Sequence, residues 1–277
     1  MFAAPFDPVP QKGTDSMTNH GARPPFQIVR GPGPVVATAI HAGHDVRAEL
    51  LDRLSLSAED RRREEDPYTD QLTEAFPTRV TVDRSRFEVD LNRPRDGAVY
   101  MTPDQAWGLD VWTDPPDAAM VERSLQLHDE FYVSMKSLCD DLAEAGRFLV
   151  LDLHSYNHRR EGPDGPTAPE GENPEVNLGT GSVDTGHWNG LVRRFAADLM
   201  TALPAETTYG ENVRFQGGYL SKWVNETYRN RGCAVAVEFK KTFMDEWTDE
   251  LDTKRVDSLV EALEATIPGL YEELESP

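Results

Sequence analysis

Three predicted strands of the sequence end in polar residues of the kinds that carry out catalysis. The run VVATAI leads into His41 and His44, and the run AVAVEF contains Glu238. The run FLVLDLHS ends in Asp152, His154 and Ser155. Because an unpaired ionisable group is costly to bury, we expect these strand ends to share a partner. Ligands of open α/β sheets bind beyond the carboxyl ends of the strands. The pattern therefore predicts one polar site assembled from distant parts of the chain.

The histidines of this group have the chemistry and spacing of metal ligands. Zinc binds imidazole nitrogens and carboxylate oxygens in tetrahedral sets, and a catalytic site leaves one position for water. His41 and His44 are close enough in sequence to converge on one ion, and His154 would be the third ligand. Asp152 is on the same strand face as His154 and can orient its imidazole. We predict one Zn²⁺ per chain; the alternative is a set of hydrogen-bonded histidines without a metal.

A second group consists of donors that suit an anionic substrate. Residues 86–92 alternate between apolar and polar types and are predicted to form a strand that presents Arg86 and Asn92, followed by Arg93. Guanidinium groups pair bidentately with carboxylates, so a small acylated acidic amino acid is the expected partner. The alternative interpretation is an edge strand whose charged face contacts only water.

The elements that must position these residues alternate between strand and helix. Such alternation, with long crossovers, indicates an α/β domain with a mixed, mostly parallel sheet. Residues 1–33, rich in Pro and Gly, are predicted to form an N-terminal arm, and residues 34–277 a single domain. Residues 156–186 are predicted to form a loop that borders the site. Strands are expected at residues 35–40, 79–83, 86–92, 148–155, 213–216 and 234–240, and helices at 44–54, 57–66, 117–145, 187–203, 218–228 and 251–268.

The composition excludes several classes of protein. The 277 residues include 49 acidic and 28 basic ones, a formal charge of −21 that would repel nucleic acid. No stretch of about 18 apolar residues is present and the N-terminus lacks the pattern of a signal peptide, so we expect a cytoplasmic protein without a membrane partner. Cys139, Cys233 and the helical His128 are expected to be buried, without a disulfide. The oligomeric state is left open.

Five short motifs, in this order, resemble those of the N-formylglutamate amidohydrolase family and, more distantly, of the zinc carboxypeptidase and aspartoacylase superfamily. The resemblance spans roughly residues 35–245. It implies a phosphorylase/hydrolase-like three-layer α/β/α fold and a zinc-dependent amidohydrolase that removes a formyl or related acyl group from an acidic amino acid. The motifs are His41-Ala-Gly-His44, Arg86 with Asp90-Leu91-Asn92-Arg93, Asp152-Leu153-His154-Ser155, Gly217-Gly218-Tyr219, and Glu238.

The resemblance implies a role for most of the candidate residues. Tyr219, which follows two glycines, either lines the pocket or donates a hydrogen bond to the substrate. The other roles are those of metal ligands for His41 and His154, general base and acid for Glu238, oxyanion stabilisation for Arg86, and binding of the substrate carboxylate for Asn92 with Arg93.

The second metal ligand departs from the carboxypeptidase-like pattern. That pattern has a glutamate three residues after the first histidine, where this chain has His44. An imidazole can bind zinc at this position, so we predict His44 as the ligand, with Asp45 or Glu49 as the alternatives.

Other functions are compatible with part of the pattern. A zinc carboxypeptidase-like peptidase would use the same metal site. A metal-free binding protein for an acidic metabolite would need Arg86, Asn92 and Arg93 but not Glu238. A cysteine hydrolase would rely on Cys233, which begins an apolar strand and is expected to be inert.

Overall fold

A mixed seven-stranded sheet lies at the centre of the structure, a computed structural model that describes residues 24–276. The order is β1-β3-β2-β4-β7-β5-β6, and the four strands from β3 to β7 are parallel. Strands β1 and β5 are antiparallel to β3 and β7, respectively. The predicted mixed, mostly parallel sheet is thus confirmed. The strands are β1 (Phe26–Val29), β2 (Val35–Ala39), β3 (Thr78–Val82), β4 (Phe148–Tyr156), β5 (Val176–Gly179), β6 (Tyr209–Glu211) and β7 (Gly232–Lys240).

Helices cover both faces of this sheet, which gives three layers. Val36 and Val150 point to one face, where they pack with α4 and α6, whereas Val35 and Leu149 point to the other, with α5, α7 and α8. This double burial explains the uninterrupted apolar runs of the central strands. The helices are α1 (Ala48–Leu51), α2 (Ala58–Glu64), α3 (Thr69–Leu72), α4 (Ala118–Ala145), α5 (Thr185–Ala202), α6 (Tyr219–Tyr228), α7 (Thr253–Glu264) and α8 (Ile267–Glu275).

The predicted strand at residues 86–92 is wrong, because this segment forms consecutive turns. Its apolar side chains are buried, but so are Glu88 and Asp90, each 1% exposed. Both carboxylates have donors: Arg47 binds Glu88 through its backbone N–H at 2.8 Å and its side chain at 2.7 Å, and the N–H of Asn92 binds Asp90 at 2.8 Å. The alternation therefore reflects burial on two sides of a turn segment.

Three further differences concern strand positions. Strand β1 lies within the predicted N-terminal arm, of which residues 1–23 are outside the described residues. Strand β5 lies within the predicted loop 156–186, and the short strand expected at residues 213–216 is instead β6, a few residues earlier. No helix within residues 24–276 combines the length and apolarity needed to cross a bilayer.

Candidate active site

A pocket of about 1160 Å³ lies beyond the carboxyl ends of β2, β4 and β7. These three strands are adjacent and parallel, so the residues that follow them meet at one edge of the sheet. The pocket is lined by seven of the eight residues predicted to act in catalysis or binding, namely His41, Arg86, Asn92, Arg93, His154, Tyr219 and Glu238. The eighth, His44, is not among the lining residues.

Two of the histidines form a compact buried group with Asp66, a residue that the sequence analysis did not select. The Oδ2 atom of Asp66 lies 2.8 Å from Nδ1 of His154 and 3.4 Å from Nδ1 of His41. One nitrogen or oxygen atom from each residue lies within 4.8 Å of the other two. Burial by itself would raise the pKa of Asp66, but the contacts with His154 and His41 lower it well below the usual range. Asp66 is therefore an ionised carboxylate, as metal ligation requires.

The donor set of this group fits a zinc ion. The Nδ1 atom of His41 is buried and has no hydrogen-bond partner among the described residues. The second ring nitrogen of each histidine, Nε2, has a carboxylate beside it: Nε2 of His41 is 2.7 Å from Asp90, and Nε2 of His154 is 3.0 Å from Asp152. Imidazoles that hold zinc usually have such a partner on the second nitrogen. Two imidazoles and one carboxylate also form a common catalytic zinc set.

His44, which the sequence analysis predicts as the second ligand, does not belong to the group of His41, Asp66 and His154. Its Nδ1 lies 2.6 Å from Oε2 of Glu65, away from the Asp66 group. Backbone hydrogen bonds explain this position of His44. The N–H of Asp45 donates to the carbonyl of Asp83, and the N–H of Ser85 donates to the carbonyl of Asp45, so the chain after His44 runs beside the segment that follows β3. Glu49, one of the alternatives, is paired with Arg123 outside the pocket.

Asp66 was missed because it was assigned to the end of a charged surface helix. That helix, α2, ends at Glu64, and the backbone N–H of Asp66 then donates to the carbonyl of His41 at 2.9 Å. An acidic run before Pro67 was the only sequence signal at this position. A proline favours an extended residue before it, which takes Asp66 out of the helix.

Lys241 fixes the segment that carries Asp66. Its ammonium group donates to the carbonyl oxygens of Arg63 at 2.6 Å and Glu65 at 2.7 Å, and the residue is 1% exposed. Burial lowers the pKa of Lys241 to about 8. The contact joins the residue after β7 to the backbone that directly precedes Asp66, so it constrains the position of this carboxylate.

Glu238 lies in the sheet directly beside His154, to which it is register-paired across β4 and β7. Its side chain is partly exposed to the pocket. Burial raises the pKa of Glu238 to about 8, while the positive charge of His154 opposes this effect. A carboxyl group whose pKa is near neutrality can both accept and return a proton, as general acid–base catalysis requires.

The predicted arginine cluster also lines the pocket. Arg86 donates to Asp90 at 3.0 Å and its guanidinium lies 4.6 Å from the ring centroid of Trp107. Trp107 is 53% exposed at the pocket and has a left-handed backbone, with φ of 54°. Arg93 uses one nitrogen to bind the carbonyl of Gln105 at 2.8 Å. The sequence analysis did not find Trp107, since it lies in a segment without periodicity.

The two glycines before Tyr219 allow the backbone to approach Asn92. A Cβ atom on Gly218 would lie 2.3 Å from the Asn92 amide, so a larger residue does not fit. The N–H groups of Tyr219 and Leu220 both donate to Asn92, at 3.1 and 3.0 Å. The ring of Tyr219 packs 5.4 Å from that of Tyr132 and forms part of the wall.

The sequence model of the N-formylglutamate amidohydrolase family matches residues 33–244, well over half of the chain. The chain therefore belongs to the N-formylglutamate amidohydrolase family, and the resemblance found in the sequence is confirmed.

Two solved structures show the same fold. The crystal structure of N-formylglutamate amidohydrolase from Ralstonia eutropha JMP134 superposes with a TM-score of 0.73 and 18% identity, over 90% of this chain and 98% of that one. A gene product of Agrobacterium tumefaciens gives a TM-score of 0.60 and 18% identity, over 88% and 95% of the two chains. A metallo-carboxypeptidase from Burkholderia cenocepacia gives only 0.40 and 14% identity, over 87% and 58%. No relative was found among curated proteins.

Proposed function

We propose that the protein is a zinc-dependent amidohydrolase that removes the formyl group, or a similarly small acyl group, from an acidic amino acid such as N-formylglutamate. The observation that carries this proposal is the buried group of His41, Asp66 and His154 beside Glu238 and Arg86. A Zn²⁺ ion held by the first three residues would polarise the acyl carbonyl and acidify a water molecule.

Two residues of the chain would complete the catalytic site: Glu238 for proton transfer and Arg86 for charge stabilisation. Glu238 accepts a proton from the attacking water and returns it to the nitrogen of the leaving amine, so the amide bond breaks without release of an amide anion. Arg86 donates to the oxygen that becomes negative during the attack. Asp90 contacts both His41 and Arg86, and so holds these two groups in a constant relation.

The acidic substrate is supported by the donors on the wall near Arg86. One nitrogen of Arg93 donates to the carbonyl of Gln105 and its Nε lies 3.6 Å from Asp90, so the two N–H groups of Nη1 remain to bind a carboxylate. Asn92 lies next to it at the pocket and 3.3 Å from Nε2 of His154. The formal charge of −21 is a reason why we do not propose nucleic acid as the partner.

The cysteine hydrolase alternative has little support from the thiol itself. Cys233 is fully buried in β7, and burial raises its pKa to about 12. A thiol in this state is not a nucleophile at neutral pH.

The proposal is tested by zinc analysis of the purified protein together with turnover of N-formyl, N-acetyl and N-succinyl derivatives of glutamate and aspartate, before and after chelation. We expect stoichiometric zinc and hydrolysis of at least one derivative that is lost with a chelator and restored by zinc. Faster cleavage of simple peptides would instead identify a peptidase. Tight binding of these anions without zinc or turnover would identify a binding protein.

A further inference from the structure

One of the arginines that line the pocket lacks an acidic partner. Three of the four guanidinium groups at the pocket are paired with carboxylates: those of Arg86 and Arg93 with Asp90, at 3.0 and 3.6 Å, and that of Arg160 with Glu64, at 3.9 Å. Arg214 has no carboxylate within 4.0 Å among residues 24–276. In a chain with 49 acidic residues, such a free cation at a binding pocket is available for an anionic ligand.

The backbone at Arg214 is fixed next to the proposed general base. The side chain of Asn177 accepts the N–H of Arg214 at 2.8 Å and donates to the carbonyl of Phe215 at 2.9 Å. Asn177 is fully buried in β5 and is the register partner of Glu238 in β7. A single buried amide therefore ties the Arg214–Phe215 segment to the strand that borders Glu238.

The side chain of Arg214 rests on an aromatic surface. Its guanidinium lies 5.6 Å from the ring centroid of Phe215, and this ring packs edge-on against Tyr156, with 5.5 Å between the centroids. All three residues line the pocket. A guanidinium that stacks on an aromatic ring has less freedom to lose when it binds a carboxylate.

The sheet order sets the direction from which Arg214 reaches the site. The proposed reacting groups follow the order His41, His154 and Glu238 across β2, β4 and β7. Arg93 belongs to the segment after β3, on the His41 side of this row, whereas Arg214 follows β6, on the Glu238 side. A ligand with one carboxylate at each end suits two cations on opposite sides of the reacting groups.

We propose that Arg214 binds the side-chain carboxylate of a dicarboxylic N-acyl amino acid, while Arg93 and Asn92 bind its α-carboxylate. This assignment rests on the proposed function, and it makes Arg214 the residue that distinguishes acidic from neutral substrates. A polar site built for a charged group discriminates strongly against a ligand without it, because its donors are then left unpaired.

The test compares N-formyl-L-glutamate with N-formyl-L-glutamine, which has the same shape without the second charge. For the zinc-loaded Arg214→Gln variant we expect kcat/KM for N-formylglutamate to fall by about 10- to 100-fold, mainly through KM, with a change of less than about twofold for N-formylglutamine. Arg214→Lys should retain part of the preference, since it keeps the charge but not the fork. Arg193→Gln removes the same charge from an exposed position of α5 and should affect neither substrate.

Equal losses for both substrates, or no loss for either, would overturn the role of Arg214. Binding of both compounds to the Glu238→Gln variant, measured by calorimetry, separates this result from failure of the proposed function. If the wild-type protein hydrolyses neither compound, the proposed function fails. The role of Arg214 then still requires two results: the Glu238→Gln variant binds N-formylglutamate more tightly than N-formylglutamine, and the double variant Glu238→Gln with Arg214→Gln loses this preference. If the Glu238→Gln variant binds the two compounds equally, or binds neither of them, the proposed role of Arg214 is wrong.

Discussion

The Oδ1 atom of Asp90 lies 2.7 Å from Nε2 of His41, and both side chains are almost completely buried. The other oxygen of Asp90 accepts hydrogen bonds from Arg86, at 3.0 Å, and from the hydroxyl of Tyr100. One carboxylate therefore orients a proposed metal ligand and the proposed oxyanion-binding arginine together.

Replacing Asp90 with Asn keeps the size of the side chain but removes its charge. We expect the affinity for zinc to fall by about 10- to 100-fold, because the imidazole of His41 loses the anion that orients it. Competition with a chelator of known affinity measures this effect. Asp141→Asn, which removes an exposed carboxylate paired with Arg30, is the matched control and should bind zinc normally. An unchanged affinity of Asp90→Asn would contradict the role of Asp90.

The proposed ligand set, with Asp66 in place of His44, makes opposite predictions for these two positions. Asp66→Ala should abolish stoichiometric zinc binding, because it removes one of three buried donors. His44→Ala should retain zinc, since His44 contacts Glu65 instead of the Asp66 group. Elemental analysis of the two purified variants after dialysis measures the difference. Zinc loss in His44→Ala, with zinc kept in Asp66→Ala, would restore the original prediction.

Glu238→Gln should reduce kcat by about 10²- to 10⁴-fold, because the variant has no group to carry the proton from water to the leaving amine. The effect on KM should be small, since the proposed role lies in the transition state. Glu238 is not a proposed ligand, so the zinc content serves as the control and should equal that of the wild type. Near-normal turnover by a fully zinc-loaded variant would rule out this role.

Lys241→Met should affect both stability and metal binding. The variant leaves the buried carbonyl of Glu65 without its donor, at a cost of ~1–3 kcal/mol, and the part-buried carbonyl of Arg63 loses the same donor at a smaller cost. The zinc dissociation constant should also increase, because the segment that carries Asp66 is released. Denaturant unfolding and chelator competition measure the two effects, and exposed Lys254→Met is the control. A loss of stability with unaltered zinc affinity would limit Lys241 to a structural role.

His128 should make the folded protein less stable in acid. Burial lowers the pKa of His128 below its ordinary value of 6.5, so the unfolded chain binds this proton more readily than the folded one. The stability associated with neutral His128 is therefore complete above pH 6.5 and decreases as the pH falls toward the folded pKa. His128→Gln can still donate to the carbonyl of Arg93, which lies 2.9 Å from Nε2, but does not titrate.

The measurement for His128 is the free energy of unfolding of zinc-loaded wild type and His128→Gln between pH 5 and pH 8. The difference between the two proteins should change by about 1 kcal/mol for each unit of pKa difference. A constant difference across this range would show that His128 does not titrate with unfolding.

The sequence predicted the parts of the site that follow strong apolar runs. His41, His154 and Glu238 lie in or directly after strands whose burial on both faces makes them visible without any structure. Asp66 and Arg214 lie just outside the helix and the strand that the structure forms near their predicted positions, and Trp107 lies in a segment without periodicity. Tertiary contacts bring these residues to the pocket. Asp66 depends on Lys241 and the backbone of His41, and Arg214 depends on Asn177. The spacing of residue types along the sequence does not reveal contacts between residues that are so far apart in the chain.

His154 and Glu238 occupy the same rung of the sheet, where backbone hydrogen bonds between parallel strands maintain a spacing of about 4.8 Å. Their mutual placement therefore does not depend on the long connections that form the pocket walls. Those connections are free to lengthen, shorten or change in composition as relatives diverge, so a lineage can acquire a preference for a different acyl group while its chemical step stays intact.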